Sequence, residues 1–392
     1  MTARVGIAFA GDPRDPWEWS GIPHAILREL AALGLEPGWV DARPSTALLR
    51  LTRRAISVAN LPAAVALRTG ERPRDGAKRL GDAGTAASHL MALTAAGRSR
   101  GAPDRLVQIR SDFVPVPGRR TAILDDITVA QVAEHGGWVF APAVPRRLVR
   151  RRVAQQRLAH RRAAASCAAS AWVAASLRDD YGIEPARIHV VGFGAEAIAS
   201  ATERDWSVPR LLWIGLDWER KGGDALLRAF ARLRAAHPRA ELHLVGTHPS
   251  LSEPGVTGHG RLDRRDPAQR ARLAGLLGRS TALALPSTLE PFGIVYVEAG
   301  LAGLPSIGTT VGGAATAIGE GGVLVKPGDE AQLLQALERL AEPEQAAALG
   351  ARAAAHAQQL TWRKVTERLV RALDPALADE RGYAGFLAGA GT

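Results

Sequence analysis

Glu290-Pro291-Phe292-Gly293-Ile294-Val295-Tyr296-Val297-Glu298 is the stretch on which the reading of this chain turns. The apolar run Ala282-Leu283-Ala284-Leu285 precedes it and closes on Pro286-Ser287, the pattern of a buried parallel strand and its exit loop. Ala299 to Gly303 follows as a continuing small-residue helix. One carboxylate therefore sits on a loop just past a strand, at the mouth of a helix. The other lies eight residues on, roughly 12 Å away at a helical rise of about 1.5 Å per residue. Between them the amides of Phe292, Gly293 and Ile294 are helix-start donors without helical acceptors, which makes an anion site. Two hydroxyl-binding carboxylates around an anion cradle suit a ligand with ribose at one end, a diphosphate in the middle and a hexose at the other.

At 392 residues the chain is long enough for two domains, each with its own core. Its single cysteine, Cys167, excludes a disulfide framework and a zinc site and suits the cytoplasm. Met1 to Ala10 is too short in apolar length for a signal peptide. Ala299 to Gly319 is uncharged for 21 residues but holds six glycines, a proline and four Ser/Thr, so it is not read as a membrane span. Lys and Arg number 50 against 39 Asp and Glu. Residues 1–200 carry 28 against 18 and residues 201–392 carry 22 against 21, so nearly all the surplus lies in the first half. Only four of the basic residues are lysines: Lys78, Lys221, Lys326 and Lys364. The prevalence of Ala and Arg looks like a coding bias, which makes a lysine the more informative cation.

Short apolar runs alternate with helical patterns along the whole chain. Val5–Phe9, Pro37–Val40, Leu106–Ile109, Thr121–Leu124, Trp138–Ala141, Ala171–Ala174 and Ile188–Val191 form a first set. A polar connector spans 196–209. Leu211–Ile214, Glu241–Val245, Thr281–Leu285, Ser306-Ile307 and Val323–Val325 form a second, and three helical patterns close the chain at about 330–341, 344–359 and 361–373. Such alternation predicts an α/β protein with two successive Rossmann-like parallel sheets and a cleft between them. Ligands in such sheets lie beyond the carboxyl ends of the strands. Ser20 is expected to cap the first helix and Gly34 to end it.

A bare Glu-x7-Glu pair is common by chance. Here it carries the Pro-Phe-Gly insert and is followed by Gly303-Leu304-Pro305-Ser306-Ile307-Gly308-Thr309, Gly312-Gly313 and Gly321-Gly322-Val323-Leu324-Val325-Lys326-Pro327-Gly328-Asp329. Together these resemble the signature of the retaining glycosyltransferases of family 4, with the GT-B fold. The resemblance is strong from Leu211 to Asp329. It implies an N-terminal acceptor-binding domain over 1–195, a C-terminal donor-binding domain over 208–370, and a tail over 371–392 packing back on the first domain. The implied reaction transfers a sugar from a nucleoside diphosphate-sugar, a UDP- or GDP-sugar, to an acceptor with retention of configuration. No cofactor or metal is implied. No Asp-x-Asp pair occurs anywhere in the chain, in keeping with a site where a lysine, amides and helix dipoles replace a metal.

The resemblance also distributes roles. Glu298 binds the ribose hydroxyls and Glu290 the hydroxyls of the transferred sugar. Lys221, in Trp213-Ile214-Gly215-Leu216-Asp217-Trp218-Glu219-Arg220-Lys221-Gly222-Gly223, faces the diphosphate, where a fixed cation stabilises the charge of the leaving group. The family's arginine five or six residues earlier is missing, since Leu216 and Gly215 stand there, and Arg220 is the candidate replacement. Phe292, Gly293 and Ile294 offer amides, and Gly246, after the Glu241–Val245 run, belongs to the same donor site. Ser20 and Gly21, in Trp19-Ser20-Gly21-Ile22-Pro23, match the N-terminal loop whose glycine lets backbone approach the diphosphate. Asp126, with Asp125 as fallback, matches a family histidine or aspartate near the transferred sugar; a helix N-cap is the competing reading.

Arg146 to Arg162 holds eight arginines and no acid. It reads as a patch for an anionic membrane surface or an acidic acceptor, or else as a solvated face enriched by coding bias. It lacks the interleaved aromatics that nucleic acid would require. A peripheral position at the inner membrane face is therefore the variant of the cytoplasmic reading. Base, sugar, acceptor and oligomeric state are left open by the sequence. The rival readings are a nucleotide-sugar epimerase or phosphorylase of the same fold, and a non-catalytic sugar-nucleotide-binding protein.

Overall fold

The computed structural model describes residues 3–52, 54–55, 83–135, 146–198 and 204–387. The expected apolar run at 138–141 lies outside them. The chain divides into two compact units, one of residues 1–191 with 365–392 and one of residues 192–364.

The first unit holds β1 (Arg4–Phe9), α1 (Ile22–Ala32), β2 (Glu36–Asp41), α2 (Ala83–Arg98), β3 (Arg105–Ile109), β4 (Arg120–Asp125), α3 (Val129–Glu134), α4 (Arg146–Arg162), β5 (Ala165–Ala168), α5 (Ala171–Asp179) and β6 (Ile188–Val190). Among the described residues its six strands are all parallel, in the order β2-β1-β3-β4-β5-β6. Strand order reverses at β1, so the loops after β1 and β3 flank the crevice where such sheets hold ligands.

Two readings are corrected by the structure. Ala171–Ala174 is the start of a helix, not a strand: Ser170 accepts a hydrogen bond from the Val173 amide at 3.3 Å and caps it. The strand is Ala165-Ser166-Cys167-Ala168, buried at every position, and its small side chains gave no apolar run. The cap of α1 is Gly21, at φ 76°, rather than Ser20, which makes no side-chain cap. Gly34, at φ 70°, does follow the end of α1.

The second unit holds β7 (Arg210–Gly215), α6 (Gly223–Ala236), β8 (Glu241–Gly246), β9 (Val256–Gly258), α7 (Pro267–Arg279), β10 (Ala282–Ala284), α8 (Ile294–Leu301), β11 (Ser306–Thr309), α9 (Ala314–Ile318), β12 (Gly322–Val325), α10 (Glu330–Ala341) and α11 (Pro343–Ala357). These strands too are all parallel, in the order β12-β11-β10-β7-β8-β9. The order reverses between β10 and β7. β9 was not anticipated, being three residues on an exposed edge. Helix α12 (Trp362–Leu373) leads to α13 (Pro375–Glu380). Within the first unit Arg368, only 2% exposed, donates to the carbonyls of Val191 at 3.2 Å and Gly385 at 2.8 Å, fastening the C-terminal segment. Among the described residues no helix is long and apolar enough to cross a membrane.

Candidate functional site

The two strands at the switch point of the second sheet, β7 and β10, send out the loops that carry Lys221 and Glu290. The loops are laced together. The Thr288 amide donates to the Arg220 carbonyl at 2.8 Å, and Arg220 Nη1 donates to the Leu289 carbonyl at 2.8 Å. A Cβ on Gly222 would stand 2.2 Å from the Pro286 carbonyl oxygen, so only glycine permits this approach. A third loop, after β11, fixes the Glu290 backbone: its amide donates to Val311 O at 3.2 Å and its carbonyl accepts from the Gly313 amide at 2.9 Å. Gly312, at φ 109°, lies under that carbonyl, where a Cβ would come within 2.0 Å of the oxygen.

The side chains then converge. Lys221 Nζ donates to Glu290 Oε2 at 2.9 Å, Ser287 Oγ reaches the same oxygen at 3.4 Å, and Arg220 Nη1 lies 3.6 Å from it. Glu290 is 6% exposed, so this carboxylate sits out of bulk water among two cations and a hydroxyl. Gly215 leaves room for the Lys221 stem, since a Cβ there would stand 2.6 Å from Lys221 Cδ. Trp213, fully buried, donates from Nε1 to the Lys221 carbonyl at 3.2 Å and holds the loop from below. The structure thus places Lys221 and Arg220 on one carboxylate, a pairing that spacing alone did not give.

Gly293, at φ 84°, is the N-cap of α8, and no side chain caps this helix. The amides of Phe292, Gly293 and Ile294 make no hydrogen bond among the described residues. The Phe292 ring points inward, edge-on to Phe193 with centroids 5.3 Å apart, so Phe292 offers its backbone only. Because α8 begins at Ile294, Glu298 lies one turn inside it. The 1.5 Å rise applies to that turn alone and not to the whole stretch from Glu290. Glu298 is 5% exposed and is gripped by both Arg264 nitrogens, Nη1 on Oε1 and Nη2 on Oε2, the latter at 2.8 Å. The carboxylate in turn holds the Arg264 guanidinium above its ordinary pKa. Gly246, at φ 117°, is where the ends of β7 and β8 touch: a Cβ would meet the Gly215 carbonyl oxygen at 1.7 Å. Its amide donates to Gly260 O at 2.8 Å, tying in the loop that leads to Arg264.

The remaining candidates lie in the first unit, at the carboxyl ends of its strands. Trp19, Ser20 and Gly21 run left-handed in succession, at φ 46°, 57° and 76°. Two non-glycine residues in that region store backbone strain that the surroundings must hold. After β4, Asp125 and Asp126 part ways. Asp125 is buried, its Oδ2 2.9 Å from His160 Nε2 and its Oδ1 accepting from the Ser111 amide at 3.0 Å. Burial pushes its pKa up, but the His160 and Ser111 hydrogen bonds outweigh that and hold it below the ordinary carboxylate value. Asp126 is half-buried, and desolvation raises its pKa to about 6 against the opposing field of Arg110. Asp125 is thus committed to structure, and the N-cap of α3 is Thr128, so neither aspartate caps a helix.

Sequence reasoning missed Arg264, Ser287 and Arg110. Arg264 stands in Arg261-Leu262-Asp263-Arg264-Arg265, one arginine among many, with nothing local to mark it. Arg110, at φ 68° after β3 and paired with Asp112 at 2.9 Å, is a non-glycine outlier visible only in the backbone. On α4, Leu148, Gln156, Ala159 and His160 are buried, while Arg146, Arg147, Arg150, Arg151, Arg161 and Arg162 are all exposed. Among the described residues no group of three or more His, Cys, Asp or Glu side chains is placed to hold a metal ion.

Residues 208–343 match the family described as glycosyl transferases group 1. A D-inositol 3-phosphate glycosyltransferase from Acidothermus cellulolyticus is 31% identical over 239 residues, 54% of this chain and 53% of that protein. A glycogen synthase from Mycobacterium tuberculosis is 30% identical over 294 residues, 69% of this chain and 66% of that protein. The match to the inositol phosphate enzymes spans about half their length. In three dimensions the chain is similar to sucrose-phosphate synthase from Thermosynechococcus elongatus. The TM-score is 0.64 at 17% identity, covering 96% of this chain and all of that one. It is similar also to WaaG, a glycosyltransferase involved in lipopolysaccharide biosynthesis, with a TM-score of 0.57 at 16% identity, covering 95% and 99%. At these identities the structures speak for the fold alone, the two-unit GT-B arrangement of parallel sheets. With the family match, the segment 208–343, which carries Lys221, Glu290 and Glu298, belongs to the group 1 glycosyl transferases.

Proposed function

We propose that the chain is a retaining, metal-independent glycosyltransferase of family 4. It moves a sugar from a nucleoside diphosphate-sugar, a UDP- or GDP-sugar, to a hydroxyl-bearing acceptor. The observation that carries the reading is the pairing of Lys221 with Glu290 at 2.9 Å beside three partnerless amides at the head of α8. The amides take the diphosphate, where the helix start favours an anion. Glu290 holds hydroxyls of the transferred sugar, oriented by Lys221, Arg220 and Ser287. Glu298 holds the ribose hydroxyls. As the bond from the anomeric carbon to the diphosphate oxygen breaks, charge grows on that oxygen, and Lys221 and Arg220 stabilise it in a site poor in water. The acceptor oxygen bonds to the anomeric carbon on the face the diphosphate leaves, and its proton passes to the departing diphosphate.

The acceptor is assigned to the first unit, with Asp126 a candidate to hold a hydroxyl there and Ser20 and Gly21 candidates for the diphosphate. The exposed arginines of α4 supply a surface for an acidic acceptor or for the inner face of an anionic membrane, which suits a cytoplasmic enzyme. A thermal-shift screen with UDP, GDP, ADP and TDP, repeated in chelator, tests the donor reading. One nucleotide should raise the melting temperature without divalent metal, by mass action on the folded state. No shift with any of them, or a shift only when magnesium or manganese is present, contradicts it.

A further inference from the structure

Glu298 and Arg264 form an unequal pair. The carboxylate is 5% exposed and carried on a helix, whereas the Arg264 side chain is 42% exposed and carried on the loop between β9 and α7. That loop is shaped by its own contacts. The Asp263 amide donates to Gln269 Oε1 at 2.8 Å and the Arg265 amide to Asp263 Oδ1 at 2.9 Å. Arg264 is therefore not needed to fold it. The guanidinium can swing into water at little cost, since its head already borders solvent, while the carboxylate cannot follow.

The geometry of the pair is a fork on a fork. Each guanidinium nitrogen takes one carboxylate oxygen, the two-pronged arrangement that gives Arg its specificity for planar anions. A vicinal diol presents two O–H donors at nearly the same spacing and to the same edge of the carboxylate. The two partners compete for one edge, and the rest of Glu298 is enclosed by protein.

We propose that Arg264 is a latch that sets the donor site's affinity for ribonucleotides: it occupies Glu298 and is released only by a nucleotide whose ribose 2′- and 3′-hydroxyls replace both of its N–H donors. A nucleotide lacking that pair leaves Arg264 in place and gains nothing from Glu298, so it binds more weakly than the ribonucleotide. The inference rests on the assignment of ribose to Glu298 and adds a residue that neither motif nor spacing singled out.

Calorimetric titration of the full chain with UDP and GDP and with their 2′,3′-dideoxy forms tests it, using wild type, Arg264→Ala and Arg264→Lys. Wild type should prefer the ribonucleotide. Arg264→Ala should bind the ribonucleotide about tenfold tighter than wild type and the dideoxy form no differently, because only the diol competes for the edge. Arg264→Lys, which keeps the charge but loses the fork, should fall between. A ribonucleotide affinity in Arg264→Ala equal to or weaker than wild type, with the wild-type preference for ribose intact, overturns the latch alone. Equal binding of ribo and dideoxy forms by wild type removes ribose from Glu298 and the latch with it. Binding of no nucleotide at all overturns the donor reading itself.

Discussion

At the residue scale the decisive contact is between a lysine and one carboxylate oxygen of a glutamate, which an arginine also approaches. Lys221 is 2.9 Å from Glu290 Oε2 and Arg220 is 3.6 Å from it, so the two cations are not equivalent. Replacing Lys221 by Ala should lower turnover about a hundredfold, on the order of 3 kcal/mol, with a smaller change in donor affinity. Combined with Glu290→Gln, the loss should be clearly less than the sum of the two single losses, because the pair acts as a unit. Steady-state kinetics on the three variants checks this, and full additivity would separate the roles. Asp126 offers a pH test in the first unit. Its pKa, raised to about 6 by desolvation, means that it is neutral below that pH and charged above it. If it serves as a carboxylate, activity should rise through pH 6 and the rise should be absent in Asp126→Asn. The stability consequence has a fixed sign. A carboxyl held protonated in the fold loses stability relative to the unfolded chain as pH climbs from about 4 to 6. Asp126→Asn should therefore melt higher than wild type at pH 7.5 and alike at pH 4, as calorimetric melts at the two pH values would show.

At the element scale the site is a matter of backbones brought unusually close. Gly312, Gly222 and Gly246 each stand where a Cβ would collide with a carbonyl oxygen, at 2.0, 2.2 and 1.7 Å, and all three have positive φ. Gly312→Ala should cost stability on the order of 2–4 kcal/mol, by strain and by pushing the Glu290 backbone off its seat. Activity should fall further than in a destabilised variant remote from the site, which denaturant melts and kinetics on the same preparations would reveal. The elements legible in the sequence were those with a strong period or a buried apolar run. Val5–Phe9 and Leu211–Ile214 are examples, as is the Pro-Phe-Gly start of α8. β5 escaped because Ala-Ser-Cys-Ala carries too little side chain to register as apolar, although it is fully buried. β9 escaped because a three-residue edge strand has no period to read. The Glu290–Gly312 backbone bridge joins segments from two different loops, and no local pattern announces such a contact.

At the scale of the whole molecule the two units carry different charge. Among the described residues the exposed face of α4 concentrates basic charge of the first half, while the second half is nearly balanced and pairs Lys221 with Glu290 and Arg264 with Glu298. Two parallel sheets, and the position of Glu290 just past a strand at the mouth of a helix, were readable from alternation and one motif, whereas the strand orders were not. The arginine on Glu298 was not, because the excess of arginine hides any single one. The central claim is that the amides at the head of α8 receive the diphosphate of a sugar nucleotide. Residue-resolved hydrogen–deuterium exchange, with the nucleoside diphosphate picked out by thermal shift and with its parent nucleoside as control, measures this directly. The account predicts that the diphosphate slows exchange at Gly293 and Ile294 while the nucleoside does not; unchanged exchange at both positions under saturating diphosphate, with protection appearing elsewhere, would contradict it.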